Sequence, residues 1–272
     1  MSAAAVDNLR TAARCLLEEG AVQVVIGFTE GSAGRVRPAF VRRAADSDAL
    51  VLDERCRLNL AVYLPKPEIR ALGKPAVVAL PATLRALLQL AAEHQWTEGR
   101  LVALAPAADG SVAALSNFAE MEAAVAAAWP EPSAAEREEL ERIMALPREE
   151  RWRFWQEQLA RCVKCYACRA ACPLCYCPRC VADANQPQWV PAAPHALGNL
   201  EWHVVRAMHL AGRCADCGAC AAACPVGIPL HLLNRFAAEE IRRQFGSRSG
   251  ESAQSEFSLS TFSPEDRDGF IG

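Results

Sequence analysis

RCVKCYACRAACP (residues 161–173) and RCADCGACAAACP (residues 213–225) decide how this chain is read. Each sets four cysteines in the pattern C-x2-C-x2-C-x3-C-P. The first run carries Cys162, Cys165, Cys168 and Cys172 ahead of Pro173. The second carries Cys214, Cys217, Cys220 and Cys224 ahead of Pro225. Eleven of the 13 cysteines lie between Cys162 and Cys224. A secreted disulfide scaffold is shorter and spreads its cysteines through the whole fold, so clustered thiols point to metal instead. Three thiolates two residues apart on a tight loop can wrap three corners of a metal cube. A fourth, one helical turn later and followed by proline, is directed away from it.

The spacing is that of bacterial two-cluster ferredoxins, in which the fourth cysteine of each run ligates the other [4Fe-4S] cluster. One run alone would also suit zinc, but zinc sites usually pair two C-x2-C units across a longer gap. The crossed pattern assigns Cys162, Cys165, Cys168 and Cys224 to cluster one. Cluster two takes Cys214, Cys217, Cys220 and Cys172. Between the runs, CPLCYCPRC adds Cys175, Cys177 and Cys180. One reading makes these a third metal site, zinc or cluster, with its fourth ligand from Cys15, Cys56, His195 or a partner chain. The other makes them free thiols beside cluster one. His203 and His209 read as ordinary polar or packing residues. Cys15 and Cys56 read as small core residues.

The chain has 272 residues, with 52% hydrophobic and 22% charged, a globular composition long enough for two domains. A formal charge of −3 argues against a basic nucleic-acid binder. No run of about 18 apolar residues escapes a charge or proline, so no membrane span is expected. The opening residues, MSAAAVDNLRTAARCLLEEG, place Asp7 before any apolar stretch and show no cleavage pattern, which leads to a cytoplasmic expectation.

Residues 1–130 read as an α/β domain. An amphipathic helix is expected over residues 3–19 and a buried strand over Ala21–Phe28. Gly31–Gly34 reads as a hairpin turn, the alternative being a phosphate cradle over Gly31–Arg35 built from backbone N–H groups and Arg35. Short strand and helix signals come next in ALVLDE and RCRLNLAVYL. Further strands are expected at Pro75–Leu80 and Arg100–Ala105, with helices after each, so the sheet should be largely parallel. Residues 131–161 read as a helical linker of mixed charge, with Trp152 and Trp155 packing on the cysteine-bearing segment after it. Residues 162–245 form the mainly α-helical, ferredoxin-like two-cluster domain. Residues 246–272 read as a flexible tail, whose Phe257, Leu259, Phe262, Phe270 and Ile271 offer a partner something to grip.

DERCRLNLAVYL, GKPAVVALPATLRALLQLAAEHQ and the two cysteine runs together resemble the beta subunits of formate dehydrogenases and of hydrogenases that reduce the deazaflavin coenzyme F-420. The form most like it is the bacterial formate dehydrogenase beta-like dicluster protein that accompanies heterodisulfide-reductase-like complexes. The long insert between the runs and the helical EWHVVRAMHLAG also resemble the α-helical ferredoxins of respiratory iron–sulfur subunits. The resemblance implies a subunit passing electrons inside a larger assembly, with formate dehydrogenase, hydrogenase or heterodisulfide-reductase-like subunits as partners. In the family the α/β part can hold a flavin such as FAD. Here LPATLRALL stands where the family shows a polar stretch with cysteine and aspartate, and no G-x-G-x-x-G follows a strand. Only the cluster ligands carry over.

The leading expectation is therefore an electron-transfer subunit with no substrate chemistry of its own. A flavin-bearing catalytic subunit exchanging hydride with a deazaflavin or nicotinamide is the alternative. A scaffold or regulator stabilised by its clusters is the third.

Overall fold

A computed structural model describes residues 3–256, which divide into two units. Of the described residues, the first takes 3–130 together with 250–255; the second takes Glu131–Ser249 and Glu256.

The first unit contains α1 (Ala3–Glu18), β1 (Val24–Glu30), β2 (Val36–Val41), β3 (Leu50–Val51), α2 (Pro67–Arg70), β4 (Pro75–Val78), α3 (Pro81–Ala92), β5 (Val102–Pro106), β6 (Val112–Leu115) and α4 (Phe118–Ala127). The sheet order is β2-β1-β4-β5-β6, with β3 also pairing β1. Only β1, β4 and β5 run parallel; β2, β3 and β6 are antiparallel. The parallel centre is made of unbroken apolar runs, with Val24, Val25, Ile26, Ala76, Val77, Ala103 and Leu104 buried. That is the pattern of strands covered on both faces. The expected parallel sheet is thus its core, and hairpins finish both edges. Pro38 in β2 is tolerated because an edge strand leaves one row of backbone groups unpaired. Gly31–Gly34 is the hairpin turn between β1 and β2, with Gly31 N–H donating to the Arg35 carbonyl at 2.7 Å.

Cys56 is buried in the core. Cys15 departs from expectation: it is exposed, its thiol 3.0 Å from Glu19 Oε1. Ala5, Leu9 and Ala13 own the buried face of α1, and Cys15 lies off that stripe.

Part of the expected tail is pinned. Gly250 N–H donates to the Gln89 side chain at 3.0 Å, and the Ser252 hydroxyl and Ala253 N–H both donate to Glu122 Oε1. Gly250 has φ +70°, and a Cβ there would collide with the Arg85 carbonyl. Gly250→Ala is therefore expected to destabilise the first unit by more than about 1 kcal/mol, read as a lower urea midpoint. Phe257, Leu259, Phe262, Phe270 and Ile271 lie outside the described residues.

The second unit contains α5 (Ala134–Ala145), α6 (Arg148–Ala160), α7 (Ala167–Ala170), α8 (Ala196–Leu210), α9 (Ala219–Ala222) and α10 (Leu230–Phe245). Ser133 and Glu136 close a reciprocal capping box on α5. The expected linker helices are part of this unit. Leu140 and Ile143 pack on Leu232, with Trp155 beside them. Leu159 joins Cys168, Cys220, Ile228 and Leu230 in one apolar cluster. A narrow apolar stripe suffices for this, however charged the rest of each helix. Trp152 remains half exposed. Among the described residues no helix is long and apolar enough to cross a membrane.

Candidate metal centre

The two cysteine runs fold into the same loop. In each, the second residue after the first cysteine is left-handed: Lys164 at φ 56° and Asp216 at φ 53°. So is the fourth, Tyr166 at φ 56° and Gly218 at φ 69°. Non-glycine residues rarely adopt this conformation, so three of them at matching places mark a constrained loop. The constraint turns backbone N–H groups toward sulfur. Lys164 N–H lies 3.3 Å from Cys162 Sγ, and Asp216 N–H lies 3.4 Å from Cys214 Sγ. Single-turn helices α7 and α9 come next and carry the third cysteines, Cys168 and Cys220. Ile228 N–H approaches Cys224 Sγ at 3.4 Å, and Asn234 Nδ2 approaches Cys220 Sγ at 3.7 Å.

The runs are tied crosswise. Arg161, just before the first run, donates to the Val226 carbonyl just after the second. Arg213, just before the second run, donates to the Leu174 carbonyl just after the first, at 3.4 Å. Each run's beginning therefore meets the other's end. Cys172 lines one cavity with Cys214, Cys217 and Cys220. Cys224 lies within electrostatic reach of Cys162, as does Cys165.

Burial pushes the Cys162, Cys168 and Cys220 thiols above their ordinary range, and Cys214 up to about 12. Cys175 also rises, first through its hydrogen bond with Cys172 and then through burial. Without metal these five are neutral thiols at pH 7, so loading metal expels protons. Among the described residues no three His, Cys, Asp or Glu side chains form a group that could hold a metal ion.

Cys175, Cys177 and Cys180 line a common pocket with His209, Arg169, Arg206 and Arg213. His195 is engaged elsewhere: its Nδ1 accepts the Gly198 N–H at 3.2 Å and caps α8. Cys15 and Cys56 belong to the first unit.

The inner face of α8 holds residues that sequence reading passed over. Asn199, His203 and Arg206 recur at helical spacing and are all buried. Asn199 Nδ2 donates to the Cys162 carbonyl at 2.8 Å. Arg206, 4% exposed, donates to the Cys168 carbonyl at 3.1 Å. The charges that act on its guanidinium are Cys175, then Cys172, Cys220 and Cys168, so that it feels both runs and the segment between them. Asn199 Oδ1, both ring nitrogens of His203 and Arg206 Nε are buried without a hydrogen-bond partner. Each such group costs about 1–3 kcal/mol if nothing satisfies it. A buried cation acted on by several thiols, with orphaned polar atoms on the same helix face, would suit an anionic group. The signal was present in EWHVVRAMHL as polar residues on the inner stripe of a largely apolar helix.

Burial, then the Arg206 and Lys164 charges, holds His203 down at about 4. Between about 4 and its ordinary 6.5 the unfolded chain binds the extra proton, so stability rises with pH and is lost as pH falls through that window. His203→Leu is expected to flatten the fall in thermal stability between pH 7 and pH 5.

The first unit holds a cavity of about 690 Å3 lined by Gln23, Gly73, Lys74, Gly99, Arg100 and others. These residues lie at the amino ends of β1, β4 and β5. In open α/β sheets nucleotides sit at the carboxyl ends of the strands. Beyond the carboxyl end of β4, α3 opens on Pro81, which has no N–H, and its Arg85 is stacked on Trp129 at 4.2 Å.

No family model matches the chain. Over 95 residues it is 34% identical to the F420-dependent formate dehydrogenase subunit beta of Methanocaldococcus jannaschii. That stretch covers 34% of this chain and 24% of the relative, so the chain spans about a quarter of the curated subunit it matches. The likeness is thus partial, and it is to the beta subunit of a formate dehydrogenase.

Proposed function

We propose that this chain is an iron–sulfur electron-transfer subunit of a multi-subunit oxidoreductase. In this reading it holds two [4Fe-4S] clusters, one on Cys162, Cys165, Cys168 and Cys224, the other on Cys214, Cys217, Cys220 and Cys172. The observation that carries it is the pair of equivalent cysteine loops, tied crosswise, with the buried Arg206 acted on by cysteines of each. When bound, such clusters take up and release single electrons.

The chain's own residues supply everything else. Thiolates hold the iron. The N–H groups of Lys164, Asp216 and Ile228 draw charge from the sulfurs, which tunes how readily an electron is accepted. The apolar cluster around Leu159 and Ile228 keeps water from the buried Cys168 and Cys220. Partners are redox subunits, and the relative's name favours a formate dehydrogenase assembly. The finer assignment, to a bacterial dicluster protein beside a heterodisulfide-reductase-like complex, belongs to the same proposal.

Iron and zinc per chain, measured on anaerobically purified protein, test it. About eight irons without zinc, with paramagnetic signals on dithionite reduction, is the expected result. About twelve irons would enlist Cys175, Cys177 and Cys180 in a third cluster, and one zinc beside eight irons would make them a structural site. Iron near zero would sink the reading.

A further inference from the structure

The cavity of about 690 Å3 in the first unit is lined by charge of one sign. Arg70, Lys74 and Arg100 border it, and no Asp or Glu does. The acidic residues on the same stretches of chain are turned elsewhere. Glu98 Oε1 accepts the Phe118 N–H at 2.7 Å, and Glu93 Oε1 accepts the Gln89 side chain at 2.8 Å. Glu68 is exposed and stands two residues before Arg70 on α2, a spacing that puts them on different faces. Arg70 donates to neutral carbonyls, those of Leu64 and Gln95, each at 3.2 Å. Among the described residues Lys74 and Arg100 have no carboxylate partner. A helix carboxyl end carries about half a negative charge, so the end of α3 does not account for three cations.

The walls are fixed in place. Gly73 has φ +100°, and a Cβ there would strike the Gln23 side chain. Gln23 Oε1 accepts the Lys74 N–H at 2.8 Å, and the Gln23 N–H donates to the Lys74 carbonyl at 2.8 Å. The Arg70–Gln95 bond ties this turn to the loop after α3. On that loop Trp96 is held by its Nε1, which donates to the Leu87 carbonyl at 2.8 Å, and by the edge of Phe118. Trp96, Leu64 and Ile69 supply the apolar part of the lining.

We infer that this cavity binds a phosphorylated small molecule, with its phosphate among Arg70, Lys74 and Arg100 and a flat or apolar remainder against Trp96. A cleft lined by one sign of charge concentrates ions of the opposite sign. Three cations suit a doubly charged phosphate better than a single carboxylate, and guanidinium forks match its oxygens. The volume is that of a small-molecule site, far more than a bare ion fills. The site stands at the amino ends of the strands. Loops and side-chain cations therefore build it, not the helix amino ends that hold phosphate at the other end of such sheets. Binding makes and breaks no covalent bond.

The test is calorimetric titration of the anaerobic full-length chain with inorganic phosphate, phenyl phosphate and AMP, and with adenosine and citrate as controls. One molecule of phenyl phosphate or AMP is expected per chain, each bound more tightly than inorganic phosphate and more weakly as salt is raised. Adenosine and citrate should bind far more weakly. Lys74→Gln and Arg100→Gln should each raise the dissociation constant about tenfold, and Lys74→Arg should restore most of the loss. On AMP binding, hydrogen exchange should slow in residues 70–75 and 94–101. The inference is overturned if none of the three phosphates saturates at millimolar concentration, if adenosine or citrate matches AMP, or if both variants bind AMP as the unaltered chain does. Should Lys74→Gln lower the urea midpoint of the first unit, Arg100→Gln decides alone. Iron has no part in the measurement, so its outcome is separate from that of the two-cluster reading.

Discussion

Cys172→Ala is expected to empty the site of the second run, although Cys172 belongs to the first. Iron should fall from about eight to about four per chain. The reason is the crosswise tie: Cys172 shares a cavity with Cys214, Cys217 and Cys220, and the Arg213–Leu174 hydrogen bond holds it there. Pairs of substitutions separate this from local ligation. Cys172→Ala with Cys217→Ala should lose no more iron than either alone, because both act on one site. Cys172→Ala with Cys165→Ala should lose nearly all of it. If each run instead held its own cluster, the two double variants would exchange outcomes. Iron assay and the visible charge-transfer absorption read the difference directly.

Stripping the iron is expected to unfold the second unit and spare the first. Among the described residues the second unit has only small apolar clusters, two of them built on Leu159 and on Leu140. The first has a continuous core from α1 through the sheet. Without an anionic partner, Arg206 is a buried charge facing protonated thiols. Breaking a buried charge pair costs on the order of 3–5 kcal/mol, which is comparable to the whole stability of a small unit. Hydrogen exchange after chelation should show protection lost across α5 to α10 and retained in β1, β4 and β5. Arg206→Met should narrow the gap by making the iron-free form more stable. Equal loss of protection in both units would mean that the cysteine loops do not anchor the second unit.

Much of this was legible in the residues. The spacing alone predicts two equivalent cysteine loops, because the conformation that sets out the first three cysteines of each run is local; which sulfurs share a site stays a proposal. The strands Val24–Ile26, Ala76–Val78 and Ala103–Leu104 announce themselves as unbroken apolar runs, since burial on both faces leaves no room for polar residues. The edge strands β2 and β6 did not, because half-exposed strands such as VRPAFV alternate weakly and carry a proline. The charged helices of residues 131–161 looked like a linker because three or four apolar side chains, enough to dock a helix, are lost among charges. Asn199, His203 and Arg206 passed as ordinary helix residues. Their meaning depends on which face of α8 is turned inward, and periodicity alone does not say what lies opposite. Gly250 was hidden in a serine-rich stretch because its partners, Arg85, Gln89 and Glu122, stand far earlier in the chain.

That return of residues 250–255 to the first unit sets an order of events on the ribosome. The chain leaves the first unit at Pro130 and rejoins it at Gly250, so the cysteine-bearing unit is an insertion inside it. As the chain is synthesised from its amino end, every residue of the insertion emerges before the clasp that finishes its host. The α/β unit therefore waits, with Gln89 and Glu122 open, throughout the time in which the thiols are first able to meet iron. The segment proposed to hold metal is thus synthesised before the clasp that completes its host, and a stall just before residue 250 would leave a chain whose thiols are all present and whose α/β unit is still open.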